Sequence, residues 1–206
     1  MVNIRSGKIG EKQKHKQQAL FETAYELFTT KGLHKTTVAD IAERAGVAKG
    51  TFYLYFKDKY DIKNRLIASK ARELFHEADE KIIREGIHGK RAQIHFLVDF
   101  FLDKLEGEPT FVSFLSKNLS WGLLKGIFEE PEEEVAPYRC QTLSFIQAGG
   151  GEKELGYLLL FTIVELVSSS CYNCILYQQP VPLGKYRPFL HKSIEGILKE
   201  FLTEEG

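Results

Sequence analysis

Apolar residues in this 206-residue chain recur at intervals of three and four almost from end to end. That spacing marks one face of an α-helix and excludes the alternation of a strand. Leu20, Ala24, Leu27 and Phe28 form the first such stripe, over 16–31, and Gly32 follows as a left-handed stop. Thr37 offers its hydroxyl as the cap of a short helix through 44, with Asp40 in the first turn. Residues 45–47 read as a tight turn, and a second short helix runs over about 48–55. Asp58 is placed to cap a long helix to about 84, striped by Ile62, Leu66, Ile67, Leu74, Phe75 and Ile82. After Gly86 and Gly89 comes a helix to about 105, closed by Gly107 and Pro109, then a short one over 110–118. The acidic run 129–134 reads as a solvated loop, and Pro137 as the first turn of another helix ending at the glycines 149–151. The expected fold is all-α.

The last two expected helices constrain assembly. Residues 152–177 are apolar on almost every side, and such a helix must be covered all round. The final helix, about 185–202, carries Leu190, Ile194, Ile197 and Phe201 at helical spacing. In a chain this small, one face can pack on its own body and another on a second copy. A homodimer through about 152–178 and 185–202 is therefore expected.

The formal net charge is zero but unevenly spread. Residues 1–70 hold 14 Lys and Arg against 7 Asp and Glu, and the remainder holds 14 against 21. A basic head on an acidic body fits a head that meets polyanions. The polar, basic start of the chain has no apolar signal segment, and the run 155–167, interrupted by Glu165, is short for a bilayer span. A cytoplasmic protein with no membrane partner is expected. Three cysteines without a secretory signal are expected to be reduced.

One segment carries a function. Between Thr36 and Lys59, the side chains of Val38, Ile41, Ala42, Val47, Phe52 and Phe56 can form a small core. Ala45 is small where two helices meet, and Gly46 supplies the turn. Lys49, Gly50, Thr51, Tyr53, Tyr55 and Lys59 are left near the surface, at the start and far side of the second helix. A major groove admits such a helix by its N-terminus, while cations and hydroxyls meet the flanking phosphates.

These residues closely resemble the DNA-binding signature of the TetR family. The match holds at Thr37, Ile41, Ala42, Ala45, Gly46, Val47, Gly50, Tyr53, Tyr55, Phe56 and Lys59. The resemblance implies a three-helix helix-turn-helix head, residues 1–58, joined to a larger helical body, residues 59–206, that binds an effector and dimerises. It implies that Lys49, Gly50, Thr51 and Tyr53 meet bases and phosphates, that Tyr55 and Lys59 meet the backbone, and that Thr37 touches phosphate from its cap. It also implies a repressor released from a near-palindromic DNA operator by a small molecule. Ala48 departs from the family, in which serine often caps the recognition helix. The basic tail Arg5, Lys8, Lys12, Lys14 and Lys16 can either follow DNA or remain unstructured.

Other features are weaker. Cys171 and Cys174 have metal-ligand spacing but lie in an apolar helix without a second pair, so small core residues are expected and no metal or cofactor. His76, His88 and His95 are scattered near the expected body cavity, and His95 shares a helix face with Asp99. The body's aromatics suit a mostly apolar pocket, for which Phe96, Phe100, Trp121, His95 and Phe161 are nominated. No catalytic motif is present, so an enzyme is not expected. A helical small-molecule or lipid-binding protein with vestigial DNA binding is the rival reading, and the segment from Thr37 to Lys59 argues against it.

Overall fold

The structure is a computed structural model and describes residues 4–116 and 151–202. The acidic run 129–134, the helix expected after Pro137, Cys140 and Trp121 lie outside the described residues. The described residues are helical, with no strand, as the periodicity requires. The chain divides into two compact units, residues 1–69 and 70–206.

In the first unit, α1 runs Ile4–Leu27 and closes through a π-helical turn, Phe28–Gly32. The helix begins well before residue 16. Its Lys, Gln and Glu residues are good helix formers, so the basic segment needs no apolar face to be helical. Gly32 takes φ 88°, the left-handed stop anticipated for it. Next come α2 (Val38–Arg44) and α3 (Lys49–Tyr55), then α4 (Lys59–Glu85). Leu20, Ala24, Ile41, Phe52, Phe56 and Ile62 are all buried. The rings of Phe21, Phe52 and Phe56 meet at centroid distances of 5.1 Å (Phe21 to Phe56) and 5.4 Å (Phe52 to Phe56). The first turns of α4 belong to this unit: Arg65 lies over the Phe56 ring at 5.5 Å. The compact unit thus extends past the expected boundary at 58.

In the second unit, α5 (Lys90–Gly107), α6 (Pro109–Ser116), α7 (Gly151–Leu176) and α8 (Leu183–Phe201) surround an apolar core. Ile94, Val98 and Leu102 of α5 meet Leu159, Ile163 and Val167 of α7, and α8 adds Leu190, Ile194 and Leu198. The final stripe is rotated by about one residue from expectation, with Leu198 buried and Ile197 half-buried.

α7 is apolar all round, and Leu155, Leu158 and Phe161 on its outer side are exposed. The segment 154–176 is long and apolar enough, by length and composition alone, to cross a bilayer. This corrects the expectation drawn from the shorter run 155–167. Its inner face is buried in the body core.

Candidate nucleic-acid interface and body cavity

The helix-turn-helix is set by caps. The Asp40 amide donates to Thr37 Oγ1 at 3.1 Å, and the Thr37 amide donates to Asp40 Oδ2 at 2.8 Å. This reciprocal box satisfies two of the donors a helix start leaves unpaired. Lys31 reaches the same carboxylate at 2.7 Å. That hydrogen bond, aided by Thr37, pulls the Asp40 carboxyl down to about 2. At the other end of α2, Gly46 donates to Glu43 O at 3.1 Å and Val47 to Ala42 O at 3.0 Å. Gly46 takes φ 69°, which only glycine adopts freely, and this turn aims α3.

α3 starts at Ala48 without any side-chain cap. Supplying one should help. Ala48→Ser is expected to raise head stability by about 0.5–2 kcal/mol, read as a higher urea midpoint at unchanged slope. An unchanged midpoint would mean that neighbouring groups already satisfy these donors.

The outer face of α3 carries Lys49, Gly50 and Tyr53, and Tyr53 is 52% exposed. A Cβ on Gly50 would meet nothing within 4 Å, so this position leaves open space for close approach of another surface. Thr51 and Tyr55 are half-buried, with Tyr55 set against Phe56 at 6.3 Å. The Thr37 hydroxyl, beyond its cap bond, remains near solvent. Leu54, not singled out from sequence, is 79% exposed on the same face. The signal was available, because helical period places residues 50, 53 and 54 on the side away from Phe52. An exposed aliphatic there can meet a thymine methyl.

Lys59 is used differently from expectation. Its Nζ donates to the carbonyls of Leu33 (3.0 Å), His34 (3.2 Å) and Thr36 (3.0 Å). An ammonium has three N–H donors, so all are taken up within the head. Lys59 braces the loop before α2. Lys59→Met should cost about 1–3 kcal/mol by leaving these carbonyls without their donor, measured by urea unfolding. A loss no greater than for a surface lysine would contradict the brace.

The second unit contains a cavity of about 120 Å³ between α4, α5, α6 and α7. Leu74, Phe75, Leu97, Phe101, Phe111 and Ile163 are among its walls, and Ser168 is the polar residue in the lining. A smaller cavity adjoins it through Leu105, Leu115, Val167 and Ser168 and reaches Tyr172 and Ile175. Of the nominated residues, the described ones, Phe96, Phe100, His95 and Phe161, are not among these walls. Phe100 is buried on another side of α5, with Lys81 over its ring at 4.9 Å, and Phe96 stacks on it at 6.3 Å. Phe161 faces outward, and His95 turns toward α8. Trp121 lies outside the described residues. At about 100° per residue, an error of one position moves a side chain off the wall, and ring size does not reveal its direction.

Cys171 and Cys174 are free and buried. Burial pushes the Cys171 thiol up to about 11 and raises Cys174 as well, so both stay protonated and weakly nucleophilic. Among the described residues no group of three or more His, Cys, Asp or Glu side chains is placed to hold a metal ion.

The family description "Bacterial regulatory proteins, tetR family" matches residues 20–66, the helix-turn-helix and its supports. Residues 20–66 are those of a TetR-family helix-turn-helix. It is 40% identical over 72 residues to the fatty acid metabolism regulator protein of Bacillus subtilis (strain 168), covering 34% of this chain and 37% of that protein. The chain thus matches little more than a third of that curated relative's length. Over the whole fold, it is similar to a TetR-family transcriptional regulator from Streptomyces coelicolor, with TM-score 0.63 and 16% identity over 91% of this chain and 99% of the other. FadR from Bacillus subtilis, solved in complex with stearoyl-CoA, aligns with TM-score 0.57 and 20% identity, covering 86% and 96%. TetR-family heads are similar in sequence here, whereas the body shares the fold alone.

Proposed function

We propose that this chain is a TetR-family transcriptional repressor that binds a near-palindromic operator as a dimer and is released by an elongated apolar effector. The exposed face of α3, carrying Lys49, Gly50, Tyr53 and Leu54 on a capped helix-turn-helix, is the observation that carries this reading. The basic balance of residues 1–70 adds long-range attraction to phosphate. The exposed Leu155 and Leu158 of α7, with the 64% exposed Phe189 of α8, support a second copy as their cover. Two recognition helices about 34–36 Å apart then meet successive major grooves. Such a regulator works in the cytoplasm and needs no catalytic group.

The two adjoining cavities extend along α7 from Leu159 to Ile175, about 24 Å at the rise of a helix. That shape and lining suit an aliphatic chain. FadR of Bacillus subtilis binds stearoyl-CoA in its complex, which supports an acyl ligand here. The main cavity is near the ~150 Å³ of an engineered site that takes up benzene, so a long chain must part the walls. An effector that binds only the expanded body shifts the equilibrium by its differential affinity. α4 supplies Ile62 and Leu66 to the buried set of the head and Leu74 and Phe75 to the cavity wall, so the same helix carries the change.

Fluorescence anisotropy with DNA from upstream of the chain's own gene tests this. Binding should exceed that of scrambled DNA, fall steeply with salt, and weaken on addition of a long-chain acyl compound but not a short one. Equal weak binding to both DNAs would overturn the repressor reading. Operator binding indifferent to every acyl compound would overturn the effector.

A further inference from the structure

α5 and α8 are joined by a row of side chains that the DNA and effector reading does not use. His95 Nδ1 and His191 Nδ1 lie 2.8 Å apart. On the far side of each ring, His191 Nε2 is 2.9 Å from Asp99 Oδ1, and His95 Nε2 is 3.1 Å from Glu195 Oε2. Each carboxylate is also held by a guanidinium. Arg187 donates to Asp99 at 3.2 Å and to Asp103 at 2.6 Å, and Arg91 donates to Glu195 at 2.5 Å.

Proton counting decides what this row contains. An ionised carboxylate only accepts, so each Nε2 must carry hydrogen. The His95 hydrogen bond, with Arg91 nearby, holds the Glu195 carboxyl below its ordinary value, which keeps it an acceptor. A neutral imidazole has one N–H. Two neutral rings would therefore point bare Nδ1 lone pairs at each other at 2.8 Å. Two protonated rings would bring two N–H groups head to head. One extra proton makes a single N–H···N bond at a normal length. A tetrahedral zinc, with bonds near 2.0–2.1 Å, would hold the two nitrogens roughly 3.3 Å apart. The nearest carboxylates lie on the Nε2 sides, where they cannot serve as a third ligand.

We propose that His95 and His191 hold one shared proton that latches α8 to α5, so that α8 loosens when the pair either gains or loses a proton. The charged groups around the pair and its partners are Arg91, Asp99, Asp103 and Glu106 on α5 and Arg187, Glu195 and Lys199 on α8. From α7, Cys171 feels Arg187 and stays a neutral thiol. An imidazole side chain ordinarily titrates between pH 5 and 8. His191 lies next to Leu190 and near Ile194, two fully buried side chains of the body core, so loss of the latch frees the helix that carries them. This proposal holds whether or not the chain binds DNA.

The test uses the full chain with ¹⁵N-labelled histidine, titrated from about pH 5 to pH 9, with ring-nitrogen NMR and the melting temperature read at each pH. At mid-range, one Nδ1 proton should be shared between the two rings. The melting temperature should peak there and fall by at least about 2 °C on each side. His95→Gln and His191→Gln should each remove the shared resonance and flatten the peak, while His88→Gln, at an exposed histidine, leaves both unchanged. Two rings in the neutral Nε2–H form with no Nδ1 proton throughout would overturn the latch. So would a peak that EDTA abolishes and nickel restores, because the pair would then hold a metal. The wild-type spectrum alone settles the proton count if a variant fails to fold.

Discussion

The double change Lys49→Ala and Tyr53→Ala should lower operator affinity by about 30-fold to 10⁴-fold while the protein stays folded. Each side chain is exposed on the outer face of α3, although the Tyr53 ring also meets Phe52 at 5.5 Å. A good base or phosphate contact is worth about 1–3 kcal/mol, and each 1.4 kcal/mol is tenfold. The two effects should also differ in kind. Loss of Lys49 should weaken all sequences alike and reduce the salt slope by about one. Loss of Tyr53 should narrow the gap between operator and scrambled DNA. Stability should stay within about 0.5 kcal/mol, as for surface changes generally. Anisotropy across a salt series, paired with urea unfolding, separates these outcomes. Retained operator affinity in the double variant would remove α3 as the reading element, and with it the proposed function.

Phe52→Ala should cost about 3–5 kcal/mol, the range for deleting a buried aromatic. Phe52 is fully buried, meets Phe56 at 5.4 Å, and has the edge of Tyr53 at 5.5 Å. Its loss takes away the floor on which α3 rests. A whole domain is stable by only about 5–15 kcal/mol, so the first unit should open while the second remains folded. Hydrogen exchange should show amides of α2 and α3 losing protection while those of α5 and α7 keep theirs, and DNA binding should disappear. Uniform loss of protection across both units would mean that they unfold as one. Protection equal to wild type would show that the site can collapse around the deletion.

The helical class, the caps and the recognition segment were legible in the sequence because each is encoded within a few residues. Thr37 and Asp40 are three apart and pair with each other, Gly46 needs only its own φ, and Asp58 caps α4 through the amides of Tyr60 and Asp61 at 2.7 and 2.8 Å. The face of α3 followed from the spacing of Phe52 and Phe56. What only the tertiary structure decided involves partners far apart in the chain. Lys59 finds carbonyls more than twenty residues away, and His95 finds His191 rather than the Asp99 on its own face. The cavity wall depends on how α5, α6 and α7 are rotated against one another, and periodicity names a stripe without saying what it faces. A sequence records local backbone preference residue by residue. Which side chain fills, braces or latches is set when distant helices pack, where the energy of each contact depends on both partners.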